Sequence, residues 1–211
     1  MAGGAMNETL RAFAAPVAAA LLAGCSPHAS STDANSSAQP LPPPLAGASI
    51  GGPFTLIDQD GKTVSDRDFA GKYRIIYFGY TFCPDVCPVD MQNLGAAMRL
   101  LDRDNPTLSA KIAPIFISVD PERDTPAVLK QFVSAFYPRL IGLTGSPAAI
   151  KQVADEYRIF YQKQPPEADG GYLVQHSRQA YLFSPAGKPM ALLPVEGPPG
   201  PIVAEIERWA R

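Results

Sequence analysis

The eight residues YRIIYFGY, 73 to 80, place the tightest constraint on the fold of this chain. A run of β-branched and aromatic residues without polar alternation suits a strand covered on both faces, and such strands belong to sheets with helices on either side. The rest of the chain must therefore supply helices. After residue 80 it does: Met91, Leu94, Met98 and Leu101 recur at intervals of three and four, the period of a helix that buries one stripe.

The alternation continues along the chain. Ile112 to Val119 reads as a second buried strand, and Thr125-Pro126 as an N-cap with proline at the first helical position, followed by an apolar face of Leu129, Phe132, Val133 and Phe136. Leu140 to Leu143 is a short strand, and Ser146-Pro147 opens a helix carrying Ile150, Val153 and Tyr157. Ile159 to Gln162, Tyr172 to Gln175, Gln179 to Phe183 and Met190 to Leu193 read as further strands before a last helix, Ile202 to Trp209. Ahead of all these, Phe54 to Asp58 and Lys62 to Val64 form a hairpin around Asp60-Gly61. The order predicts an α/β fold: a thioredoxin-like sandwich with a central mixed β-sheet flanked by helices and an N-terminal β-hairpin. Sheets of this kind keep their chemistry in loops beyond the carboxyl ends of buried strands, and the loop after residue 80 contains Cys83.

The chain of 211 residues has room for one ordinary domain with appendages. Its net charge of -2 offers no basic field for a phosphate backbone, which argues against nucleic acid as a partner. The N-terminus reads as an address. Arg11 precedes AFAAPVAAALLAG, too short for the roughly 20 residues that cross a bilayer, and Leu22-Ala23-Gly24-Cys25 resembles the lipobox of bacterial lipoproteins. We expect residues 1–24 to be a signal peptide, with translation from Met1 or Met6, and Cys25 to be lipidated. Residues 25–46 would be a Ser/Ala/Pro tether and residues 47–211 the folded domain. That address puts the domain on the extracytoplasmic face of a bacterial envelope, an oxidising place for thiols.

Of the three cysteines, Cys83 and Cys87 remain, spaced C-x-x-x-C and each followed by proline. Proline disfavours α geometry in the residue before it, so the expectation is a stiffened turn with Cys87 as N-cap and the helix starting near Pro88. The positive end of that helix would make both thiols ionise more readily than a free cysteine. Two such thiolates can bind a soft metal, exchange with disulfides or form a structural bridge. The short loop gains little from a bridge, and a structural zinc site wants four ligands. The domain's one histidine, His176, falls between two expected strands; His28 lies in the tether and is set aside as solvated. Two thiolates and an imidazole suit Cu(I) and can hold Cu(II). Asp85 reads as a turn former, and the cluster Asp120, Glu122, Arg123 and Asp124 as organising the loop before the Thr125 helix.

The stretches GYTFCPDVCPVDM, FISVDPERDTPAVLKQF, LIGLTGS and YLVQHSRQAYLFSPAGK together resemble the Sco/SenC family of copper-binding proteins involved in cytochrome c oxidase assembly, over the chain from about Ile50 onward. The resemblance implies a thioredoxin fold, copper on Cys83, Cys87 and His176, and a metallochaperone role at the copper-site subunit of the oxidase. Other periplasmic copper chaperones or thiol reductants would be further partners, and a lipid anchor would join the protein to the membrane. A thiol-disulfide oxidoreductase that reduces the oxidase cysteines through Cys83 and Cys87 is the alternative. Family members often carry an acidic residue before the histidine, where this chain has Gln175.

Overall fold

The structure, a computed structural model, describes residues 41–211 apart from positions 167 and 169. The expected signal segment 1–24, Cys25, His28 and the tether as far as Pro40 lie outside the described residues. Order in the backbone is evident by Leu45, whose N–H donates to the Met190 carbonyl at 2.9 Å.

The chain opens with β1 (Thr55–Asp58) and β2 (Thr63–Ser65), an antiparallel pair. Their turn is held by the Asp58 carboxylate, which accepts from the amides of Asp60 at 2.9 Å and Lys62 at 2.8 Å, while Gly61 takes the left-handed conformation at φ +79°. Next, β3 (Tyr73–Gly79) is buried at every position, as its composition requires. α1 (Val86–Asp104) and the one-turn α2 (Pro106–Ser109) lead to β4 (Ile112–Ser118), which is also buried throughout. α3 (Pro126–Phe136), β5 (Ile141–Thr144) and α4 (Pro147–Glu156) follow. β6 (Tyr161–Lys163), β7 (Val174–His176), β8 (Ala180–Phe183), β9 (Pro189–Leu193) and α5 (Pro199–Trp209) complete the described chain.

Seven strands form one mixed sheet in the order β2-β1-β5-β4-β3-β8-β9. β3, β4 and β5 are parallel, so each junction needs a helical crossover, and α1 and α3 supply them. β1 and β8 join this parallel centre antiparallel, against β5 and β3 respectively. α1 packs against α5 and α3, α3 lies on β5, and α4 on β1. The expected mixed sheet flanked by helices is thus observed, and the hairpin is continuous with it. Ile75, Ile76, Phe78, Ile115 and Phe116 are wholly buried at its centre. Each such side chain contributes roughly 1.5–3 kcal/mol through burial.

Two helix starts follow the expectation from sequence. Thr125 Oγ1 accepts from the Val128 amide at 3.4 Å and Ser146 Oγ from the Ala149 amide at 3.2 Å, with prolines in the first turns. The start of α1 does not. The helix begins at Val86, Asp85 is the N-cap, and Cys87 lies inside the first turn. Pro88 is tolerated there because the first amides of a helix have no carbonyl partner to lose, so the bias of a residue preceding proline against α geometry is overridden.

β6 and β7 form a separate two-stranded ribbon. The strand expected at 159–162 is shifted to 161–163, and His176 is the last residue of β7, paired with Tyr161, where a position between strands was expected. Pairing with β6 extends the strand to the histidine. Among the described residues no helix is long and apolar enough to cross a membrane.

Candidate metal centre

Cys83 and Cys87 arrive from the carboxyl end of β3, and His176 from the end of β7. Their ligand atoms, two Sγ and one imidazole nitrogen, all lie within 4.8 Å of one another. Cys87 Sγ is 3.3 Å from His176 Nε2. The other ring nitrogen, Nδ1, is 2.8 Å from the Ser177 carbonyl, a group that can only accept. Nδ1 therefore holds the proton in the neutral ring, and the Nε2 lone pair faces the sulfurs. The edges of Tyr80 and Tyr77 meet the imidazole, with centroids 5.8 and 6.4 Å away, and hold its plane.

Asp85 makes no side-chain cap bond and is exposed. The amides of Cys87 and Asp85, at the start of α1, favour the charged form of Cys83. The positive end of the helix acts in the same direction on that sulfur. A hydrogen bond from Cys87 holds the Cys83 thiol well below its ordinary range. Cys87 goes the other way: giving its proton to Cys83, and burial that leaves it with no exposed surface, push its thiol up. The expectation that both thiols ionise readily holds for Cys83 only. Two thiolates so close repel each other, so without a cation the pair keeps one proton between them.

Behind Cys87 stands a buried network that the sequence did not reveal. Asp90, with no exposed surface, accepts from Tyr77 Oη at 2.8 Å and from Arg178 Nε and Nη2 at 2.7 and 2.5 Å. Tyr77 Oη also lies 3.9 Å from Cys87 Sγ. Burial, then the charges of Cys87 and Asp90, push the Tyr77 phenol up, so it remains a donor. Asp90 sits three residues beyond Cys87 on α1, and Arg178 two beyond His176. The network therefore ties the cysteine helix to the histidine segment. Nothing in the sequence spacing signals this pairing; only the fold shows that Asp90 and Arg178 meet.

On the opposite flank, Asp124 accepts from the Thr81 amide at 3.0 Å, Thr81 Oγ1 at 2.6 Å and Ser118 Oγ at 2.6 Å, which fixes the chain just before Cys83. Arg123 pairs with Asp120 at 2.5 Å and stacks 3.6 Å over Tyr172 and 4.8 Å over Phe82. Glu122 pairs with Lys163 of β6. The acidic cluster organises loops around the site, as its composition suggested. Tyr80, Cys83, Val86, Leu173, Gln175 and His176 line a cleft of about 510 Å³, with Gln175 exposed at the site.

A protein-family model described as SCO1/SenC matches residues 43–211. Protein SCO1 homolog 1, mitochondrial, of Arabidopsis thaliana is 47% identical over 158 residues, 75% of this chain and 46% of that protein. The chain spans about half the length of the first curated relatives it matches, from 46% to 61%. The solved structure of Bradyrhizobium japonicum ScoI with copper bound is 42% identical, with a TM-score of 0.69, over 76% of this chain and 99% of that one. That of BsSco, described as having a disulfide switch and as a member of the Sco family of cytochrome c oxidase assembly proteins, is 28% identical, with a TM-score of 0.61, over 80% of this chain and 96% of that one.

Proposed function

Because the chain belongs to the SCO1/SenC family, we propose that it is a copper metallochaperone whose cargo is held by Cys83 Sγ, Cys87 Sγ and His176 Nε2. One observation carries the reading: three soft or borderline donors, drawn from two separate segments, converge within 4.8 Å with the imidazole already in the tautomer a metal needs. The donor set fits Cu(I), which accepts low coordination and thiolate ligands, and it can also accommodate Cu(II). A cation between the sulfurs removes the repulsion that retains a proton on Cys87, so loading releases that proton.

The cleft leaves Cys83 and His176 open on one side, with Cys87 enclosed behind them. A recipient's soft ligands can approach there and replace them one at a time, so copper changes hands without a free ion. The recipient we propose is the copper-site subunit of cytochrome c oxidase, in line with the assembly role named for BsSco. We further place the protein at the extracytoplasmic face of a bacterial membrane. In this reading a signal peptide of residues 1–24 is removed, Cys25 is acylated, and a tether of residues 25–46 precedes the copper domain at 47–211. A mass spectrum of the mature protein with an unmodified Cys25 would reject that anchoring.

Anaerobic titration of the reduced full chain with Cu(I) against a competing chelator tests the central claim. One tight equivalent, lost in His176→Ala, is the expected result. Weak binding that is indifferent to the substitution defeats it.

A second reading has its own support in the readily ionised Cys83 beside Cys87. Cys83 thiolate attacks a partner disulfide, forming a mixed disulfide and expelling one partner thiolate. Cys87, on losing its proton, then attacks Cys83, which frees the second partner sulfur and leaves a Cys83–Cys87 disulfide. Two electrons pass to the partner. His176→Ala separates the readings, since reductase turnover survives it and copper binding does not.

A further inference from the structure

At the end of β3 away from the metal centre, Arg74 is 6% exposed in a strand whose every residue is buried. Its guanidinium makes no hydrogen bond and no ion pair with the described residues, and its Nε is wholly enclosed. Arginine cannot shed its proton to escape burial as lysine can, so a guanidinium buried without a hydrogen-bond partner is costly. Arg74 lines a cavity of about 410 Å³ together with Lys188, Asp66, Ser49 and Tyr157, closed on one side by Gly187. Gly187, in the turn between β8 and β9, stands at φ +73°, and a Cβ there would press on Arg74 Nη2.

We propose that this cavity is a binding site for inorganic phosphate. Arg74 offers its terminal nitrogens as a fork to two oxygens, and Lys188 adds a second positive charge at the rim. Ser49 and Tyr157 line the same space, the tyrosine with its hydroxyl 3.4 Å from the Gly52 carbonyl. The lining is not uniformly basic, and that determines which anion fits. Asp66 is a wall of the cavity, and Glu156, under Gly52, has a buried Oε2 with no partner. A carboxylate repels an anion that has no proton to offer it but accepts a hydrogen bond from one that does. At neutral pH phosphate carries such a proton and sulfate does not. The cavity lies beyond the opposite end of the central strand from Cys83 and shares no residue with the copper cleft, so its occupancy is separable from metal binding.

The test is thermal unfolding of the reduced, copper-free full chain with increasing phosphate, set against sulfate and chloride at matched ionic strength. The midpoint should rise saturably with phosphate, by about 3–5 °C at about ten times Kd, and should not do so with sulfate. Arg74→Met should abolish the rise, Lys188→Met should weaken it, and Asp66→Asn should admit sulfate. A phosphate response that persists in Arg74→Met, an equal response to sulfate in the unmodified protein, or no response to either anion overturns the proposal. Should Arg74→Met fail to fold, Lys188→Met, on an exposed turn, decides, and an undiminished phosphate response there also overturns it.

Discussion

Cys87 Sγ and His176 Nε2 stand 3.3 Å apart although 89 residues separate them in the chain. The cysteine is held by the first turn of α1 and by Tyr77 and Asp90 behind it. The histidine is held by its Nδ1 bond to Ser177 and by two tyrosine edges. Neither side chain has to travel to meet a metal, so the preorganisation that low-coordinate copper binding needs is built in before the ion arrives.

Removing the imidazole should therefore do more than removing a group that orients it. Outer partners of metal ligands are worth roughly 10–100-fold in affinity. His176→Ala should lower Cu(I) affinity by more than that while leaving the oxidation of Cys83 and Cys87 to a disulfide intact. Chelator competition gives the first quantity and thiol counting the second.

The proton shared by the cysteines is open to spectroscopy. Cys83 is held below its ordinary pKa first by the hydrogen bond from Cys87. In the reduced, copper-free protein, thiolate absorbance should therefore persist well below the pH at which an ordinary cysteine is protonated. Cys87→Ala should move that titration upward. A transition at the ordinary cysteine pKa in the unmodified protein would contradict the hydrogen-bonded pair.

Asp90 and Arg178 form an asymmetric ion pair, with the carboxylate fully buried and the guanidinium side chain 38% exposed. Arg178→Met strands a buried charge and should cost about 3–5 kcal/mol. Asp90→Asn leaves an arginine that water can reach and should cost clearly less. Urea unfolding of both variants and of the double variant would reveal the order and the coupling, and equal losses would argue against it.

Gly79 ends β3 where a Cβ would lie 2.9 Å from the rings of Phe116 and Tyr77 and 3.0 Å from Cys87 Sγ. Two of these neighbours are packed rings that cannot retreat, so Gly79→Ala should cost about 1–3 kcal/mol by overpacking. The sulfur must shift as well, and Cu(I) affinity should fall with stability. Chemical denaturation and copper titration of one preparation test both, and unchanged affinity would mean that the cysteine has room to move.

Asp124 carries a pH signature of its own. Burial raises its pKa above 3.8 against the bonds from Ser118 and Thr81. A raised carboxyl pKa means that the folded state holds the proton more tightly than the unfolded state. Its contribution to stability therefore declines as pH climbs from 3.8 through the folded value and is constant above it. The stability of the unmodified protein minus that of Asp124→Asn, followed by urea unfolding across the acid range, should fall with rising pH and then level off. A rise would reverse the sign of the shift.

Local chemistry was readable from the chain itself. The uninterrupted apolar runs at 73–80 and 112–119 determined that strands would be buried on both faces, and the periods of three and four determined the helices that cover them. Threonine and serine ahead of Pro126 and Pro147 marked two helix starts. The same local information identified Cys83, Cys87 and His176 as a donor set, because few side chains bind soft metals and the domain has few of them. Tertiary structure decided the rest. Pairing with β6 carries β7 out to His176, and parallel β4 with antiparallel β8 encloses β3 so that its end, and the loop beyond it, face that ribbon. Cys87 enters the helix because the unpaired amides of a first turn tolerate Pro88. The Tyr77–Asp90–Arg178 network and the guanidinium of Arg74 have no signature in spacing. A buried charge acquires its partner, or lacks one, only when distant segments are packed together and water is excluded from between them.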